Sequence, residues 1–488
     1  MPPKDKGRKG KDSLNTSKAK DEKETKKCRS CCKILLVLSS LAVALIAIAS
    51  YQLYVKFTII PDMPDLDLNI WWGPNTTERQ DTSIRRFRIV FSDAMQEELR
   101  KKFEVYRAIT SRKKSITEDW TYGTNSDALA QVFAHWQFKY TMSEREKFLN
   151  QFDHFKTNIQ GLDIHFVHVK PKVDENVKVV PLLLLHGWPG SVREFYDVIP
   201  LLTTPRPGYD FVFEVIAPSL PGFLYSQAPT KPGLSNFQIA IIMRNLMHRI
   251  GFTKYYIQGG DYGHAIGTDM STIFPQEVLG FHTNMPIHFS KLPTLVWMLG
   301  SIWPSIVANG LEDRMYPLKD KIENALEEFG YLHLQMTKPD TIGIALTDSP
   351  MGLLSYIIDR FIVFTDHTNK HLPDGGLSKI DLTNFLDNVM LYWVTSSITT
   401  SMRIYKESGK SVEELILADI PTKVPTWGLR VKYELLQQPD YMLRWKFTNL
   451  LGSTTLDHGG HFAAFELPTE FAQDVFLAVK NFIDFMKK

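Results

Sequence analysis

The stretch YYIQGGDYG, residues 255–263, decides the fold. Its first four residues have strand character, and AIGTDMSTI (265–273) continues with helical spacing. Gly259 and Gly263 stand two residues either side of Asp261. Such glycines permit the tight strand-to-helix turn of a nucleophile elbow, G-x-S-x-G, here with Asp in place of Ser. The turn exposes the side chain and aims the next backbone N–H, that of Tyr262, at the reacting centre. A carboxylate in that place can attack a saturated carbon and form an ester. The same residues also read as a plain glycine turn with Asp capping a helix, so the surrounding sequence must choose.

Upstream, Lys178 to Leu185 ends in VVPLLLL, a continuous apolar run of the kind a central parallel strand carries. His186-Gly187-Trp188-Pro189-Gly190-Ser191 follows it. A tight Gly/Pro turn after a strand can present a backbone N–H, here that of Trp188, as half of an oxyanion hole. The amide of Tyr262 would supply the other half. The alternative is an ordinary strand-to-helix turn. Pro189 is a candidate for a cis peptide, which is accessible at X–Pro bonds.

Further strand patterns fall at Asp163 to Val169, Phe211 to Ala217 and Tyr255 to Gln258, and helical ones at Ser191 to Leu201, Asn236 to Ile250 and Ala265 to Ile273. Strands alternating with helices indicate an α/β fold. From about Lys291 the strand signal fades and residues 291–418 are aromatic and helical in pattern. Strand-like runs return at Pro421 to Val431 and Phe447 to Leu451, before a last helix from Glu470 to Met486. A sheet interrupted by helices and then completed predicts an α/β-hydrolase core with a helical lid. The expected divisions are a linker and amino-terminal extension over 56–165, core over 166–290, lid over 291–418 and core again over 419–488. Within the extension, helical patterns run from Asp93 to Tyr106, Asn125 to Tyr140 and Ser143 to Phe152.

Taken together, HGWPGS, GGDYG, GYLHLQMTKPDTIGIALTDSPMGLLSYI (330–357), NVMLYWVTSSITTSMRIYKES (388–408) and HGGHFAAFELP (458–468) resemble the microsomal epoxide hydrolase family. The similarity runs from about Trp71 to the C-terminus and includes that family's amino-terminal extension. It implies a nucleophile at Asp261, a general base at His461, an orienting acid at Glu434, and proton donors at Tyr331 and Tyr405. His458 stands three residues before His461 and rivals it on spacing; the GGH context favours His461. The resemblance implies no cofactor and no metal, a small lipophilic epoxide as substrate, and a vicinal diol as product. The chain departs from the family's usual pattern at Tyr262, where Trp is more common, and in HWQFKYTMSEREKFLN (135–150), which bears on how the extension packs.

Three other readings share parts of this pattern. A haloalkane dehalogenase shares the Asp nucleophile but uses the indole of a Trp after it; here Tyr262 stands there. A Ser esterase needs G-x-S-x-G, which occurs nowhere in the chain. An inactive, membrane-tethered binding protein would not need the full set of catalytic side chains.

Ahead of the catalytic body, the 488 residues divide sharply in charge. The net +2 hides twelve Lys or Arg against five Asp or Glu in residues 1–33, a +7 tail on a −5 body. No nucleic-acid partner is expected. Ile34 to Val55 is uncharged for 22 residues, bracketed by Lys33 and Lys56, with Tyr51 and Tyr54 at one end. About 20 helical residues cross a hydrocarbon core, so 34–55 reads as a single transmembrane anchor rather than a cleaved signal peptide, and membrane lipid as a partner. The positive-inside rule puts residues 1–33 in the cytosol. That would place the body on the luminal side, whereas resemblance to an enzyme of the endoplasmic reticulum (microsomal) membrane allows the cytosolic side. All three cysteines, Cys28, Cys31 and Cys32, precede the anchor. They are candidates for S-palmitoylation, and none remains for a disulfide in the body. Asn75-Thr76-Thr77 and Asn15-Thr16-Ser17 both match a glycosylation sequon and do not discriminate sides. Oligomeric state and the natural substrate are left open by the sequence.

Overall fold

A computed structural model describes the backbone of residues 12–74, 81–110 and 114–488, with side chains from Lys33 onward except 107–110. The chain divides into two units between Ile60 and Pro61. In the first, a single helix runs Asp12–Thr58. Its Lys33–Thr58 part has a mean hydropathy of 2.5 and is long and apolar enough to cross a membrane. It brackets the expected 34–55 span. The side chains of Cys28, Cys31 and Cys32, and both sequons, lie outside the described residues.

The second unit is built on one nine-stranded sheet. Its strands are β1 (Arg85–Phe87), β2 (His154–Ile159), β3 (Leu162–Val169), β4 (Lys178–Leu185), β5 (Phe211–Pro218), β6 (Tyr255–Gly259), β7 (Val278–Thr283), β8 (Thr426–Arg430) and β9 (Leu450–Thr455). Their order is β1-β2-β3-β5-β4-β6-β7-β8-β9. From β5 to β9 every neighbouring pair is parallel; β1, β2 and β3 extend the sheet antiparallel beyond β5. This is the α/β-hydrolase architecture expected from the sequence.

Leu182 to Leu185 of β4 are fully buried, each contributing about 1.5–3 kcal/mol by leaving water. Pro181 cannot donate to a ladder, and it lies one residue before pairing with β6 begins at Leu182↔Tyr256. Both faces of the sheet are covered. Phe281 touches Gly267 of helix Tyr262–Ile273, whereas Gly280 lies against Phe482 of helix Pro468–Met486. Adjacent strand residues point to opposite faces, so these helices sit on opposite sides.

Between β7 and β8 the chain forms a run of helices from Lys291–Leu299 to Val412–Asp419. The amino-terminal extension contributes helices Asp93–Thr110, Ser126–Phe138 and Met142–Leu149. A buried charge network joins these parts. Asp387, fully buried on helix Leu382–Thr395, accepts from Tyr140 Oη at 2.9 Å, Arg145 Nε at 2.8 Å and Arg193 Nε at 3.0 Å. Tyr140 and Arg145 thus carry segment 135–150 into the contact with the lid.

Several boundaries differ from the sequence expectation. β3 runs across the expected 165/166 division, because the β2–β3 hairpin pairs with β5 in the core sheet. The strand expected at Phe447–Leu451 is β9 at Leu450–Thr455, where β-branched threonines rather than the apolar run make the ladder. The strand expected from Pro421 starts at Thr426, after Pro425. The helix expected over 191–201 shrinks to a 3₁₀ turn at Val192–Phe195 and one turn at Ile199–Leu202.

Candidate active site

All the sequence-predicted groups on the sheet leave it at the carboxyl edge of parallel strands, where α/β sheets place their ligands. His186 to Ser191 follows β4, Asp261 follows β6, Glu434 follows β8 and His461 follows β9. Four segments distant in sequence converge because four parallel strands end on one side.

The elbow is formed. Asp261 has φ 49° and ψ −125°, and helix Tyr262–Ile273 starts at the next residue. A non-glycine residue in this region is strained and is held only by its surroundings. The close packing explains two glycines. A Cβ on Gly263 would lie 2.0 Å from the Leu185 carbonyl oxygen, and one on Gly187 would lie 2.2 Å from Asp261 Oδ1.

The Trp188 N–H donates to Asp261 Oδ1 at 2.8 Å, and the Tyr262 N–H also reaches this carboxylate. Burial raises the Asp261 pKa; His461 and the two amides oppose that, and Glu434 adds to it. The Trp188–Pro189 peptide is cis. The loop is held from both sides. Asn388 Nδ2 donates to the Pro189 carbonyl at 2.7 Å and Tyr392 Oη to the Gly190 carbonyl at 2.9 Å. His186 is fully buried. Its Nε2 accepts from the Leu220 N–H at 3.1 Å, and Nδ1 lies 3.0 Å from the Gly187 carbonyl. That pairing fixes a neutral tautomer, and burial lowers the pKa to about 4. His186 therefore shapes the loop and does not reach the nucleophile.

His461 Nδ1 lies 2.7 Å from Glu434 Oε1, and Nε2 lies 3.6 Å from Asp261 Oδ2. The His461 N–H donates to the Phe364 carbonyl at 2.9 Å, so a lid helix fixes the backbone of the histidine. Burial by itself would lower the His461 pKa; Glu434, then Asp261 and Glu194, outweigh it and raise it to about 9. Glu434 is 7% exposed and accepts the Leu435 N–H at 2.8 Å. His458 is exposed and pairs with Asp457 at 2.8 Å instead.

Tyr331 on helix Gly330–Thr337 and Tyr405 on helix Ile398–Glu407 meet above this group. Their ring centroids are 6.0 Å apart and the rings meet edge-on. Trp188 stacks on Tyr331 at 5.4 Å and meets Tyr405 edge-on at 5.7 Å. Burial, then the Asp261 charge, raises the Tyr331 pKa; burial and both Tyr331 and Asp261 raise that of Tyr405. Both phenols are therefore held protonated. Tyr262 packs its ring edge-on to Tyr405 at 4.9 Å, and so occupies lid-facing space where the family more often has an indole.

Among the described residues, no group of three His, Cys, Asp or Glu side chains is arranged to hold a metal ion. Sequence reasoning missed Glu194, Gln258 and Asn284, which line the same cavity as Asp261 and His461. Gln258 was the last residue of a predicted strand and Glu194 one charge in a predicted helix. Neither carried a motif signal.

Comparison with known proteins agrees with this geometry. Residues 84–195 match the family described as epoxide hydrolase N terminus, and residues 180–320 match the alpha/beta hydrolase fold. The chain is 48% identical to juvenile hormone epoxide hydrolase of Bombyx mori, over 86% of this chain and 92% of that protein. It is 39% identical to epoxide hydrolase 1 of Oryctolagus cuniculus, over 83% and 91%. The crystal structure of the Bombyx mori juvenile hormone epoxide hydrolase superposes with a TM-score of 0.82 at 46% identity, covering 86% of this chain and all of that one. The Aspergillus niger epoxide hydrolase gives 0.64 at 25% identity, covering 82% and 97%.

Proposed function

The chain belongs to the epoxide hydrolase family and hydrolyses epoxides, and from that premise we propose that it does so through a covalent ester on Asp261. Asp261 Oδ2 attacks one epoxide carbon while Tyr331 and Tyr405 hydrogen-bond the ring oxygen. The C–O bond breaks and a tyrosine proton passes to the developing alkoxide. Water then adds to the ester carbonyl and gives its proton to His461 Nε2. The Trp188 and Tyr262 amides hold the tetrahedral oxyanion. On collapse the bond from the Asp261 carbonyl carbon to the alkyl oxygen breaks and the diol leaves with the proton from His461, while the other water proton, left on the Asp261 carboxyl, returns to the tyrosinate and restores both groups. Glu434 keeps the imidazole oriented and stabilises its positive charge, as a triad carboxylate does.

One observation carries this reading. His461 bridges Glu434 at 2.7 Å and Asp261 at 3.6 Å, while the Trp188 amide already holds the nucleophile at 2.8 Å. A single turnover in H₂¹⁸O tests it. Label is expected in the Asp261 carboxylate, with the first diol carrying enzyme oxygen. Label appearing directly in that diol would rule out the covalent route.

For the substrate we propose a terpenoid epoxide of the juvenile hormone type. Support comes from relatives named juvenile hormone epoxide hydrolase in Bombyx mori and Manduca sexta, at 48% and 46% identity. Steady-state kinetics with juvenile hormone, a fatty-acid epoxide and an aromatic xenobiotic epoxide tests this. The highest kcat/KM is expected for juvenile hormone; a preference for either other class would refute it.

We further propose that Lys33–Thr58 anchors the enzyme in the endoplasmic reticulum membrane, supported by its hydropathy and by the basic tail before it. On this reading, lipophilic epoxides reach the site from the bilayer. Alkaline carbonate extraction of microsomes is expected to leave the full chain in the membrane pellet. Protease protection of sealed vesicles then reports the side that holds Asp261.

A further inference from the structure

One half-buried acid beside the nucleophile plays no part in the mechanism above. Glu194, on the 3₁₀ turn after the HGWPGS loop, lines a narrow cavity with Asp261, His461, Gln258 and Asn284. The cavity measures ≈ 20 Å³, and a water needs about 10–15 Å³ on that measure. Its walls are polar. Gln258 is 1% exposed, and its Oε1 has no hydrogen-bond partner. Its Nε2 donates to Asn284 Oδ1 at 2.8 Å, which fixes the amide and leaves Oε1 as a free acceptor. Asn284 in turn approaches the His461 carbonyl at 3.5 Å. Buried polar atoms are normally satisfied, by water where protein does not reach, so the unpartnered Gln258 Oε1 is the wall atom that calls for a water.

We infer that this cavity is the seat of the water that hydrolyses the Asp261 ester, and that Glu194 and Gln258 are the positioning residues that hold it against His461 Nε2. The inference rests on the covalent reading proposed above. A water here has an acceptor in His461 for one proton and an acceptor in Glu194 or Gln258 for the other. That leaves a lone pair free to form the bond to the Asp261 carbonyl carbon. Burial, partly opposed by His461 and reinforced by Asp261, raises the Glu194 pKa to about 8. Tyr331 and Tyr405, which would hold the epoxide oxygen, do not line this cavity, so a water seated in it need not be displaced by the epoxide.

The test separates the two half-reactions in the full-length enzyme, with juvenile hormone and, in parallel, styrene oxide as the epoxide. Glu194→Gln is expected to leave the rate of ester formation within about twofold and to slow ester decay about 10²-fold, the loss typical of a misplaced reactant. The alkylated protein then accumulates by mass spectrometry. Equal slowing of both steps marks a merely structural role and overturns the inference, as does unchanged decay. Glu194→Asp, which keeps the acid but shortens it, is expected to show the same selective defect in weaker form, and serves if Glu194→Gln does not fold. His461→Gln is the control. If it accumulates ester and both Glu194 variants do not, the covalent route stands and the water seat falls. If none accumulates ester, the covalent reading falls and the water seat with it.

Discussion

His461 Nδ1 lies 2.7 Å from Glu434 Oε1, and both side chains are buried. A charge-assisted contact of this length fixes the imidazole plane and leaves Nε2 facing the nucleophile. Glu434→Gln keeps the shape but removes the charge, and its amide can present the wrong partner to Nδ1. We expect kcat to fall roughly 10²–10⁴-fold, with the ester on Asp261 accumulating. Stopped-flow ester formation and decay would show it; unchanged decay would mean that Glu434 plays no part in orienting His461.

The two lid phenols pack edge-on to each other, and both rings pack against Trp188. Donors aimed at one oxygen substitute for each other in part. Tyr331→Phe and Tyr405→Phe are each expected to slow ester formation about tenfold, and the double variant roughly 10²–10⁴-fold. Ester decay should change little, because the epoxide oxygen is already protonated by then. Pre-steady-state measurement of both steps checks the split.

The raised pKa of His461 fixes a pH dependence. Folding holds it at about 9, against roughly 6.5 for a free imidazole. The native state therefore binds this proton more tightly than the unfolded state. The resulting stability is complete below about pH 6.5 and is lost as pH rises through 9. The Tm advantage of the wild type over His461→Gln should accordingly shrink between those values. Kinetics adds a second sign. Alkylation neutralises Asp261, one of the charges that hold the proton, so the His461 pKa falls in the ester. Ester decay should rise with pH and level off below pH 9; a flat profile from pH 6 to 9 would contradict this.

Asp387 collects Arg145, Arg193 and Tyr140 in one buried cluster that ties extension, oxyanion loop and lid together. Removing one partner of a buried ion pair typically costs about 3–5 kcal/mol. Arg193 remains to pair with Asp387, so Arg145→Met is expected to cost about 3 kcal/mol, the low end of that range. Urea unfolding of the body, Pro61–Lys488, would measure it.

The elbow, the loop after β4 and the alternation of strands and helices were legible because their signals are local. Gly259, Gly263 and Asp261 announce a turn by themselves, and VVPLLLL announces a buried strand. β7 was not legible: its VLGFHT includes His282, whose buried contact with Asp474 at 2.9 Å comes from a helix 192 residues later. β9 was displaced for a related reason, since its threonines pair with β8 and with the final helix rather than filling an apolar run.

The sequence by itself indicated the alternation of strands and helices, the anchor-like helix and, through a family resemblance, Asp261, Glu434, His461, Tyr331 and Tyr405 as candidate site residues. Only the tertiary structure decided which of those groups touch. The distances between Asp261, Glu434 and His461 depend on the register of four parallel strands that end together, and no segment carries that register alone. The same is true of the cavity beside Glu194. Its walls come from the turn after β4, the end of β6, the segment after β7 and the loop after β9. A cavity is a property of packing between distant segments, and it exists only once all of them are in place.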